Sequence, residues 1–104
     1  MNIPLSEKTS QAAAVLFSEP VRTRIMTRLL QEVSDNIPWH ENSNPERLER
    51  IRFSILKLIA EDAAKEDNAF RLAKKDWRDL LMEAGFGHAT VEHEKWFQNL
   101  TNQE

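Results

Sequence analysis

Apolar residues recur with a helical period along most of this chain. From Val21 onward, Ile25, Leu29 and Val33 follow at every fourth position, with Met26 and Leu30 beside them. That spacing stacks side chains into one stripe and predicts an amphipathic helix, which Asp35-Asn36 and Pro38 end. Ahead of it, Ser6 to Phe17 predicts a first helix with Ser6 as N-cap and the strong helix formers Ala12-Ala13-Ala14 at its centre. Ser18 is the expected cap of the second helix, and Pro20 fits a first turn, where its missing N–H costs nothing.

Residues 35–44, DNIPWHENSN, read as the main loop. Asn44-Pro45 then has the form of an N-cap followed by a first helical position, and Ser43 with Glu46 fits a capping box. The third predicted helix carries Leu48, Ile51, Ile55, Leu58 and Ile59 on one face, with Phe53 on the other. A helix apolar on two sides belongs at the centre of a fold.

Between Ala60 and Lys75 the pattern weakens, and Ala69, Phe70, Leu72 and Ala73 support only a short helix. Asp76 restarts the chain as an N-cap, with Asp79 near the positive end of the helix dipole. Trp77, Leu80, Leu81 and Ala84 form the apolar side of this helix. Gly85 stands where a left-handed C′ residue is wanted, and Phe86 where a hydrophobe packs back. Thr90 is the expected cap of a last helix holding Val91, Trp96, Phe97 and Leu100. The expectation is an all-α fold: one domain over residues 1–104, a compact bundle of five or six short helices, with residues 1–5 flexible and 101–104 frayed. The pattern leaves open whether the first helix packs on the bundle, because its apolar face is narrow.

Composition narrows the chemistry. The 104 residues are 40% hydrophobic and 30% charged, enough apolar content for one core. The absence of Cys excludes a disulfide framework, a thiolate zinc site and a cysteine nucleophile. A net charge of -3 speaks against a broadly basic nucleic-acid binder. The N-terminus has no basic segment followed by an apolar one, and the longest apolar stretch, Ala12 to Phe17, falls far short of a membrane span. A cytoplasmic location without membrane contact is the expectation. No phosphate-binding glycine loop, nucleophile elbow or H-E-x-x-H pattern occurs, so a catalytic role is disfavoured and no cofactor is expected.

The segment Asp76-Trp77-Arg78-Asp79-Leu80-Leu81-Met82-Glu83-Ala84-Gly85-Phe86, followed by His93 and Trp96, resembles a group of small bacterial proteins without an assigned reaction. Its members carry a D-[WY]-R-D segment followed by two hydrophobic residues, after an apolar helix and a short acidic link. The likeness spans Arg52 to Phe97. At Ala60-Glu61-Asp62 this chain lacks the glycine-containing link of that group. The resemblance implies a compact bacterial cytoplasmic domain and brings no catalytic residues with it.

Four sets of residues are candidates for function. Trp39 and His40 in the loop, and Trp96 and Phe97 in the last helix, are candidate interaction residues, because loop and rim aromatics anchor partners. Trp96 and Phe97 point about 100° apart on a helix, so one of them belongs at a rim. Arg24, Arg28, Arg47 and Arg50 are candidates for phosphate or an acidic partner. Residues 1–57 hold eight Lys+Arg against seven Asp+Glu, and residues 58–104 hold six against ten, so the acidity lies in the second half.

Arg22 and Arg52 fall near the apolar arcs of their helices, and the expected resolution is either a snorkelling head or a pair with Asp62 or Asp79. Asp76 and Asp79 read as capping carboxylates first and an acid–base pair second. His88 and His93 are five apart, unlike a helical two-His metal site, and no metal is expected. The leading functional expectation is a non-catalytic protein–protein interaction or regulatory module, self-association included. The alternatives are a nucleic-acid-associated helical module using the arginines, and a small enzyme drawing on Asp76, Asp79 and His93.

Overall fold

The structure is a computed structural model that describes residues 3–34, 45–86 and 92–101. Within them the chain forms six α-helices and no strand: α1 (Glu7–Leu16), α2 (Val21–Glu32), α3 (Pro45–Glu61), α4 (Glu66–Lys75), α5 (Trp77–Glu83) and α6 (Glu92–Thr101), with a 3₁₀ turn at Ala63–Lys65 leading into α4. The chain is one all-α bundle. Its radius of gyration of 12.4 Å is close to the roughly 13 Å of a globular domain of this length.

α3 is the axis of the bundle. Ile51, Phe53, Ile55 and Leu56 have no exposed surface, and Leu48, Leu58 and Ile59 are nearly as buried, so the helix is covered around most of its circumference. α1, α4, α5 and α6 all pack on it. α1 also packs on α2 and α6, and its Thr9, Ala12 and Ala13 are buried, which answers the question its narrow apolar face left open. Small side chains at Ala12 and Ala13 let the neighbouring helices approach closely. Ile25, Leu29 and Val33 of the α2 stripe are fully buried, while Val21 at its head is 39% exposed.

The helix ends follow capping chemistry. The Ser6 hydroxyl accepts from the Thr9 N–H at 3.1 Å, and the Asp76 carboxylate accepts from the Arg78 N–H at 3.0 Å, both as the sequence predicts. At the start of α2 the expected Ser18 cap is replaced. Glu19 reaches forward to accept from both the Thr23 N–H at 3.0 Å and its hydroxyl at 2.6 Å, because a longer carboxylate bridges the turn that Pro20 opens. α5 ends in a Schellman turn: the Gly85 N–H donates to Met82 and the Phe86 N–H to Leu81, both at 3.0 Å, with Gly85 at φ +85°. Phe86 is buried beneath it.

Two expectations at the chain ends change. Ile3 and Pro4, expected to be flexible, are tied to the bundle by hydrogen bonds to Ser34 and Arg52, and Leu5 packs against the core; residues 1–2 lie outside the described residues. Thr101, expected to fray, is the last residue of α6, and its hydroxyl donates to the Phe97 carbonyl at 3.0 Å. The expected loop at 35–44, the Asn44 and Ser43 caps and the Thr90 cap lie outside the described residues.

Candidate functional site

The two arginines that the sequence places near apolar arcs are both satisfied without the expected acids. Arg22 is paired with Glu19 of its own turn at 3.0 Å. Arg52, 2% exposed in the middle of α3, has no carboxylate partner among the described residues. It donates to the Val33 carbonyl at 2.9 Å, Pro4 at 3.0 Å, Ile3 at 2.7 Å and the Ser34 hydroxyl at 3.1 Å. Asp62 is instead used as a cap, accepting from the Ala64 N–H, and Asp79 is exposed. Burial pulls the Arg52 pKa down to about 10, which still leaves it charged at neutral pH. The free carbonyls at the end of α2 and in the N-terminal segment are what hold this cation in the core.

The arginines considered for phosphate are occupied. Arg24 and Arg28 both donate to the Glu66 carboxylate of α4, the latter at 2.9 Å. Arg28 also binds Asp67 at 2.8 Å and Glu32 at 2.6 Å, and its guanidinium lies 4.1 Å from the centre of the Phe70 ring. Lys74 closes the cluster on Glu32 at 2.8 Å. Hydrogen bonds from Arg24 and Arg28 hold the Glu66 carboxyl below its ordinary range, and Lys74 and Arg28 do the same for Glu32 against the opposing effect of burial. This cluster neutralises its own charge and clamps α2 to α4. Arg47 lies over Trp77 at 5.2 Å, and Arg50 is half-buried, its pKa lowered by burial. The four do not form an open cationic face.

The interaction aromatics divide. Phe97 is a core residue, 8% exposed and stacked on Phe53 at 5.5 Å, which removes it from the surface candidates. Trp96 is the rim member of the pair, half-buried against Phe53 at 5.4 Å and Phe86 at 6.0 Å. Trp39 and His40 lie outside the described residues, as does His88. His93 is fully buried between Phe53 at 5.7 Å and Phe86 at 6.5 Å. Sealed in the core, it shares no open pocket with the exposed Asp79, and the Asp76 carboxylate is committed to its cap. Among the described residues no three His, Asp or Glu side chains gather to hold a metal ion.

Described residues line two concavities of note. A cavity of about 50 Å³ beside Arg52 is lined by Ile3, Pro4, Ser6, Thr9, Leu48 and Glu49 as well, room for little more than water. The larger is an open groove of about 270 Å³ formed by Leu5 with Thr23, Met26, Thr27 and Leu30 of α2. Its floor is apolar, with Leu5, Met26 and Leu30 each half-buried, and its rim carries the two exposed threonines. Met26 and Leu30 were visible in the sequence as a second apolar row beside the α2 stripe. Leu5 was not, because nothing in the sequence shows that Arg52 anchors the segment that carries it. No helix among the described residues is long and apolar enough to cross a membrane.

Comparison with known protein families, with curated proteins and with solved structures returned no match.

Proposed function

We propose that this chain is a non-catalytic interaction module of the bacterial cytoplasm that receives apolar side chains of a protein partner in the groove of Leu5, Met26 and Leu30. The groove itself is the observation that carries the reading. It presents half-buried apolar side chains on a rigid helix, with hydroxyls at the rim to orient a polypeptide, and its size suits one or two inserted side chains. The internally neutralised Arg24–Arg28 cluster supports a protein partner over a polyphosphate one, since phosphate would have to displace Glu66 and Asp67.

The test compares the wild-type chain with Met26→Lys in a tagged pull-down from host lysate, with and without nuclease. A stoichiometric protein that survives nuclease and is lost on Met26→Lys, with helical circular dichroism unchanged, supports the reading. Capture unaffected by Met26→Lys places binding elsewhere, and capture abolished by nuclease returns the arginines to consideration.

A further inference from the structure

We propose that α6 is an acid-released latch: uptake of a proton by His93 frees α6 from α1 and α3 and uncovers the aromatic surface of Phe53 and Phe97. It shares no residue with the α2 groove.

Three observations carry it. The His93 ring has no exposed surface, and neither Nδ1 nor Nε2 has a hydrogen-bond partner among the described residues. Its neighbours are hydrocarbon rings, with Phe53 tilted at 5.7 Å and Phe86 edge-on at 6.5 Å. A neutral imidazole tolerates such a place as a flat aromatic filler, whereas an imidazolium needs two acceptors and finds none. Finally, His93, Trp96 and Phe97 all pack on Phe53, so a displaced His93 disturbs the aromatic contact between α6 and α3.

The surrounding charges favour release. His93 lies in the first turn of α6, where the helix dipole is positive and opposes a cation. Arg50 of α3 adds a second positive field, and the opposing carboxylates are Glu46 and Glu49 of α3 and Glu94 of α6 itself. Lys57 of α3 lies over Phe86 at 6.0 Å, and Lys8 of α1 lies over Phe97 at 5.9 Å, both further cations at this face. Burial, reinforced by Arg50, outweighs the three glutamates and holds the His93 pKa below its ordinary value of 6.5.

With the docked state refusing a proton that the released state accepts, docking weakens as pH falls through the ordinary histidine range. Between about pH 7.5 and about pH 5.5, one such group lowers the docking equilibrium by up to about tenfold, the limit in which the docked form takes up no proton. Glu66 and Glu32 of the α2–α4 clamp are held below their ordinary value of 4.5, so the two effects occupy different windows.

The experiment is hydrogen exchange read peptide by peptide on the full chain across that range, corrected for the intrinsic pH dependence of exchange. The expected result is about tenfold loss of protection in 92–101, with α4 and the buried part of α3 unchanged, and no loss in His93→Phe. His93→Leu serves the same purpose if the phenylalanine variant fails to fold. Unchanged α6 protection in the wild type overturns the latch. So does an equal loss in the variants, or a simultaneous loss in every helix. An imidazole NMR titration of the wild type gives an independent reading: a His93 resonance titrating at or above 6.5 while α6 stays docked also overturns it.

Discussion

Arg52 and Ile3, 49 positions apart in the chain, are joined by a hydrogen bond of 2.7 Å from a guanidinium that is 2% exposed to a main-chain carbonyl. The same side chain reaches the carbonyl at the end of α2, so one buried cation fastens both the N-terminal segment and α2 to the central helix. Removing it strands several carbonyls in the core. Arg52→Ala is expected to destabilise the protein by about 3 kcal/mol or more. Arg52→Lys retains one or two of the bonds and recovers part of that loss. Urea denaturation of the two variants checks the order. An Arg52→Ala protein as stable as the wild type would show that the network contributes nothing.

The same bond links stability to the groove, because Leu5 is two residues beyond Ile3 and forms part of the floor. Much of the architecture was legible in the sequence. Ser6, Asp76 and Gly85 mark helix ends by chemistry local to one turn, and the stripe of Ile25, Leu29 and Val33 names its own buried face. The candidate site was not. The groove depends on Leu5, whose place is set by an arginine on a distant helix, and no period within one segment reports such a contact. Arg24 and Arg28 looked like a cationic pair because Glu66 and Asp67 lie far along the chain, and only packing brings them together. His93 could have been read more closely: with Trp96, Phe97 and Leu100 it completes a helical stripe at spacings of three, four and seven.

The clamp between α2 and α4, together with the Glu19 cap of α2, predicts a pH dependence with a definite sign. Glu66, Glu32 and Glu19 all have carboxyls held below their ordinary value of 4.5 in the folded state. The unfolded chain therefore takes up protons first, and the stability they contribute is present above about pH 4.5 and is lost as pH falls through the lower folded values. Thermal melts should hold steady down to about pH 5 with respect to these groups and fall steeply below it. Glu66→Gln should flatten that fall and lower stability at neutral pH by about 1 kcal/mol, less in strong salt. A pH profile of Glu66→Gln that parallels the wild type would locate the acid sensitivity elsewhere.

Gly85 offers a separate test of local backbone chemistry. At φ +85° an L-residue is strained, although the space around an added Cβ is open, with only the flexible end of Lys57 at 3.9 Å. Gly85→Ala should thus cost about 1–2 kcal/mol through conformation alone and leave the fold intact. Gly85→Asn, which tolerates the left-handed region, should cost less. Equal losses in the two variants would point to a steric cause instead.

Trp96 and Phe97 are adjacent, similar in hydrophobicity and opposite in consequence. Phe97, 8% exposed and stacked on Phe53, is held on all sides, so Phe97→Ala opens a cavity at the junction of α6 with α3. The expected loss is about 3–4 kcal/mol, a large fraction of what a domain of this size possesses. Trp96 packs one side of its indole on Phe53 and Phe86 and leaves the rest accessible, so Trp96→Ala relaxes into solvent and should cost about 1–2 kcal/mol with helical content retained. Paired denaturation curves decide between this order and its reverse. The difference matters for the proposed latch: α6 meets α3 through one deeply buried ring, one shallow ring and an imidazole without hydrogen-bond partners among the described residues, so Phe97, and not Trp96, sets most of the cost of releasing it.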